Sequence, residues 1–158
     1  MKTRNPFTKA VFTAIIIILF SVTSPQDALA DDGWRSFAGS WFVEITPDPG
    51  GPPPFTNLAT VHWAGTIVTS DPILGGGHGA WNRTGKRDFE IRFLVLVPPD
   101  NPLGLPPNTT LTVTAFLTVG DSGDEANGTN IGEFSDSAGN VIAVVAGDVR
   151  FTRIKVDH

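Results

Sequence analysis

The chain contains no cysteine and no tyrosine, a single methionine, and few charges: 17% of its 158 residues are Asp, Glu, Lys or Arg. Without cysteine there are no disulfides, thiolate metal sites, cysteine nucleophiles or lipidated N-terminal cysteine. Acidic residues outnumber basic ones, 16 to 11, for a net charge of −5. A chain with that balance does not neutralise phosphates and is a poor partner for nucleic acid. Long helical periodicity is missing as well: no run of ten or more residues repeats its apolar positions every three to four residues. Several chemical signatures are also lacking. There is no G-x-S-x-G elbow, no G-x-G-x-x-G, no Walker-type loop, and no H-x-H or H-E-x-x-H spacing. With His62 and His78 the only histidines in the body of the chain, neither a metal nor another cofactor is expected.

What is present is export and β-structure. Lys2, Arg4 and Lys9 form a basic front, Ala10 to Val22 an apolar run, and Ala28-Leu29-Ala30 a small-x-small cleavage pattern. The run is too short to span a bilayer comfortably, so residues 1–30 read as a removable signal peptide. Residues 31–158 then form one domain with a net charge of −7, since the signal carries +2. The destination is the periplasm or the medium, with no stable membrane insertion after cleavage. Asn82, Asn108 and Asn127 begin N-x-[ST] triplets, which matter only in a eukaryotic secretory route.

Seventeen Gly and thirteen Pro punctuate a chain of short strands. Period-two alternation marks Gly39–Thr46, Leu58–Trp63, Thr66–Ser70, Gly79–Arg83, Asp88–Val97, Thr110–Val119, Asn127–Ser135 and Val141–Val156. Gly75-Gly76-Gly77 reads as a hinge or close-approach loop, and Gly147 as a bulge or bend. Proline segments at 47–54 and 98–107 are stiff loops. No connection is long enough for a parallel crossover, so the meander is antiparallel. Closing eight such strands removes their exposed edges. The expected fold is an all-β, eight-stranded antiparallel up-and-down barrel, whose interior is either packed solid or holds one small ligand.

Gly39-Ser40-Trp41 opens the first strand, after Trp34-Arg35-Ser36-Phe37. This resembles the lipocalin and wider calycin signature. The resemblance implies that the Trp sits at the closed end of the barrel, with Arg153 or Arg150 lying over its indole face. The stretch from His78 to Gly85 (HGAWNRTG) is similar to exported bacterial lipocalin-like proteins without assigned function. The mature chain is shorter than a lipocalin's and shows no C-terminal helix pattern.

The resemblance implies a monomer that takes a small hydrophobic molecule inside. The Gly75–His78 and Pro98–Pro107 loops would then lie near the mouth, with walls from the apolar faces around Phe89, Phe93 and Val113. Trp63 and Trp81 would be either core or lining. A cyclase or isomerase on the same barrel is the alternative, with His78, His62, Glu90 and Arg92 as its candidate groups. His62 shares a strand face with Thr60 and Leu58, and alternation places Glu90 and Arg92 opposite Phe89, Ile91 and Phe93. Both patterns also fit exposed positions. Asp121, Asp124 and Glu125 gather in one turn and read as a solvated turn rather than a Ca²⁺ loop. A solidly packed interaction module is the third reading. A membrane-embedded barrel is the fourth, disfavoured by threonine-rich faces and the absence of tyrosine girdles.

Overall fold

A computed structural model describes residues 37–155. Residues 1–36, with the expected signal peptide, and residues 156–158 lie outside the described residues. Eight strands follow in order: β1 Gly39–Pro47, β2 Phe55–Val61, β3 Thr66–Asp71, β4 Gly75–Arg83, β5 Asp88–Leu96, β6 Thr110–Val119, β7 Glu125–Ser135 and β8 Val141–Arg153. Each pairs antiparallel with the next, and β1 pairs with β8, so the sheet closes into an up-and-down barrel of calycin-like form.

Alternation decides which side chains enter. Trp41, Val43 and Ile45 point inward from β1, while Phe42, Glu44 and Thr46 point out. The same rule places Phe89, Ile91 and Val95 inside on β5, and Leu111, Ala115, Leu117 and Val119 inside on β6. The outer face of β6 is mostly threonine, which suits a wetted strand surface.

Two glycine expectations change. Gly75 to Gly77 is not a hinge; it is the start of β4 and pairs with Thr69 to Asp71. The glycines let β4 lie close against its neighbours: a Cβ on Gly77 would press on Thr69, Val95 and Phe93. Gly147 is not a bulge either. It stays in register between Pro47 and Asn130, and a Cβ there would collide with the β1 backbone at Thr46 and Pro47. The irregularity falls instead at Phe134/Ser135, where Phe134 faces Ala143 and Ser135 faces Val141. Ile142 is the extra residue, and it bends β8 at the rim.

The stagger of the barrel follows from the register. Starting at Val95 and stepping through Gly77, Thr69, Ala59 and Trp41, the ladder reaches Arg153 on β8. Stepping the other way through Leu111 and Phe134, it reaches Ala143. The two arrivals are ten residues apart on one strand. Strands in such a barrel tilt by about 35–45° to its axis. Residues at one height are therefore displaced by a little over one position from each strand to the next.

Candidate functional site: the barrel interior

One end of the barrel is solid. Phe37 and Trp41 are fully buried, with ring centroids 5.4 Å apart, and Phe37 stacks on Phe89 at 5.1 Å. Trp81 and Phe151 close the cluster from opposite sides. The polar groups of this plug all have partners. Trp41 Nε1 donates to Phe37 O at 2.9 Å, and Trp81 Nε1 donates to His62 O at 2.9 Å. The Arg153 guanidinium lies 4.2 Å from the Trp41 ring and donates to Ala38 O and Gly123 O. Burial lowers the Arg153 pKa, partly opposed by Asp124, yet an arginine remains charged. Arg150 faces outward and pairs with Glu125 at 2.9 Å, so the cation over the indole is Arg153. Gly39 is required beneath it: its φ is +145°, and a Cβ would run into the guanidinium.

Above this plug the barrel is hollow. A cavity of about 300 Å³ runs from a floor of Ile91, Ala59, Phe151 and Val43 to the loops at the other end. Side chains on its wall include Phe93, Val113 and Val149. Its rim is formed by Pro52–Pro54 of the β1–β2 loop, by Ile73 and Leu74 between β3 and β4, and by Leu103 of the β5–β6 loop. Two short-range devices set these rim segments. Asp71 Oδ1 accepts from the backbone N–H groups of Ile73 and Leu74 at 2.7 and 2.8 Å, an Asx turn. The buried Asn101 side chain ties Pro98 O, Leu105 O and Leu105 N together, which holds the proline loop and presents Leu103.

The lining is apolar apart from a few groups. With the stagger applied, Thr69, Asn57 and Asn130 fall into one layer across the middle of the cavity, level with Phe93, Ala115 and Val149. Asp71 lies one layer higher, toward the mouth. Asn57 and Asn130 come from strands three apart around one side of the barrel and five around the other, on roughly opposite walls. The Oδ1 atoms of both are buried and have no hydrogen-bond partner among the described residues.

The residues singled out from the sequence divide sharply. Phe93 and Val113 line the cavity. Phe89 and Trp81 belong to the plug, and Trp63, 74% exposed in the β2–β3 turn, lies outside. His62 is exposed just past the end of β2, and His78 sits on the outer face of β4 between Val68 and Leu94. Glu90 and Arg92 also face outward on β5. None of these four ionisable groups reaches the interior. Asp121, Asp124 and Glu125 are paired with Arg87, Lys155 and Arg150 respectively.

The sequence reading missed Asn57, Thr69, Asp71 and Asn130. A signal existed for the first. Asn57 is on the same alternation phase as Ala59 and Val61, but β2 begins at Phe55 rather than Leu58, so the asparagine stood outside the expected strand. Asn130 lies between Gly128 and Gly132 in a strand with no apolar stripe to betray its inward face. The chain matches no family model, and no curated protein is similar to it at a significant level.

Proposed function

We propose that this protein is an exported, monomeric barrel that binds one small, largely hydrophobic molecule in its interior. The observation that carries this reading is the cavity of about 300 Å³ between a solid aromatic plug and a loop-lined mouth. That volume lies at the lower end of the range for small-molecule sites, and the mostly apolar lining with a few convergent polar groups is typical of them. It is also what separates this reading from a solidly packed interaction module. The basic front, apolar run and A-x-A pattern of residues 1–30 support secretion or a periplasmic location. The Gly39–Trp41–Arg153 arrangement supports kinship with lipocalin-like proteins, although a shared fold by itself does not assign a function.

The test is native mass spectrometry of the processed protein purified from its own host, followed by solvent extraction. A reproducible extra mass of a small lipophilic compound is expected. Ala115→Leu, which fills the cavity from β6, should remove it, whereas Thr114→Ala on the outer face should not. Protein that is free of any added mass, and stays so after exposure to a lipophile panel, would overturn the proposal.

A cyclase or isomerase has one observation in its favour, the Asp71 carboxylate on the cavity wall. Acid–base chemistry needs an ionisable group within reach of the ligand, and the outward-facing His62, His78, Glu90 and Arg92 do not supply one. Turnover of an extracted ligand that vanishes in Asp71→Asn would favour that alternative.

A further inference from the structure

A cavity meant for plain hydrocarbon has no use for two asparagines. A buried acceptor without a donor is among the costlier features a core can hold, and native proteins rarely leave one unmet. Leucine has a similar shape and would fill either position without that cost. Yet Asn57 and Asn130 occupy the same height on roughly opposite walls, each with its Oδ1 buried and unpartnered. The Thr69 side chain lies in the same layer, on the strand beside Asn57. The lining includes no Lys, Arg or His, and its one charged residue is Asp71. A carboxylate drawn into this space would find no cation and would meet a second negative charge, an arrangement that burial penalises heavily.

We infer that the occupant is a neutral, compact, mainly apolar molecule bearing hydroxyl or other neutral hydrogen-bonding groups on opposite flanks, met by the Asn57 and Asn130 side-chain amides. This rests on the interior-binding reading above and narrows it to a chemical class. Fatty acids and other anionic lipids are disfavoured, because the lining offers no cation and carries Asp71. Simple hydrocarbons are disfavoured because they leave both amides unmet.

The experiment uses four probes on one skeleton: biphenyl, 4-hydroxybiphenyl, 4,4′-dihydroxybiphenyl and biphenyl-4-carboxylate. Affinities are measured by calorimetry on the processed wild-type protein and on Asn57→Leu and Asn130→Leu. The dihydroxy compound should bind wild type at least tenfold more tightly than biphenyl, and the carboxylate should bind weakest. Each leucine variant should reduce dihydroxybiphenyl affinity by about tenfold while leaving biphenyl unchanged or improved. The ligand-free variants should melt at or above the wild-type temperature, which asparagines serving the fold itself would not allow. Equal binding of biphenyl and the diol by wild type would overturn the inference while interior binding stands. So would full diol affinity in both variants. That result would point to ordered water as the partner of the amides. Failure of all four probes to bind wild type would overturn the interior-binding reading too. Should a variant not fold, the ranking of the four probes on wild type decides alone.

Discussion

The two ends of this barrel are made from the same alternating strands and do opposite things. At the plug, Phe37, Trp41, Trp81, Phe89 and Phe151 fill the space, and every indole N–H there has an acceptor. Toward the mouth, Ala59, Ala115 and Gly132 line the interior in place of large rings, and two amide oxygens lack partners. The large aromatic core sits at one end, and the room for a ligand lies at the other, beside a smaller apolar cluster of Leu74, Val95, Val97, Leu111 and Phe134. The stagger between strands sets which inward positions share a height, and so where the large rings give way to small side chains. The closed end can then hold the barrel together while the open end stays hollow.

Substitutions can break that comparison. The largest effect is expected for Trp41→Ala, which empties the centre of the plug and strips Arg153 of its aromatic face. Denaturant unfolding should show a loss of about 3–5 kcal/mol. Phe93→Ala removes a ring of comparable size from the cavity wall, where one side already faces empty space. Its loss should be smaller, roughly 1–2 kcal/mol. Equal losses for the two variants would contradict the division of labour.

Gly39→Ala sharpens the plug end of the comparison. It forces a side chain into a left-handed backbone and against Arg153, at a cost of roughly 2 kcal/mol. In an Arg153→Met background, part of that cost should disappear, because the collision with the guanidinium is gone while the backbone strain remains.

The smallest effect concerns the turn beyond the mouth. Hydrogen bonds from the Asn140 side chain, and then from the backbone N–H groups of Asn140 and Ala138, hold the Asp136 carboxyl below its ordinary 3.8. The folded pKa is depressed, so the contribution is present above the unfolded value and is lost as pH falls through the folded one. Thermal unfolding should therefore show a slight fall in stability below about pH 4 that Asp136→Asn flattens, with no change in ligand affinity at neutral pH.

How much was legible in advance depended on the type of signal. The eight strands, their antiparallel order and the inward faces of β1, β5 and β6 could be read from alternation, because a half-buried strand imposes a period of two on its own residues. Arg153 over Trp41 was anticipated as one of two arginines. Alternation could not separate Arg150 from Arg153 until the pairing of β1 with β8 set Arg153 inside. Strand ends were less legible. The glycines at 75–77 look like a loop because glycine marks turns more often than strands, and only the closeness of Thr69, Val95 and Phe93 shows why they are needed within one.

The cavity was the least legible part. Asn57, Thr69 and Asn130 are spread over more than seventy positions of the chain and share no motif. The sequence by itself determined that the chain is cysteine-free, acidic and all-β, and which residues of each strand face together, because those properties are local or compositional. Only the tertiary structure decided which strand positions stand at the same height and where the large side chains stop. It also left the His, Glu and Arg candidates outside while bringing two asparagines within. Those outcomes depend on closure and on a stagger of ten residues, and no single segment of the chain encodes either.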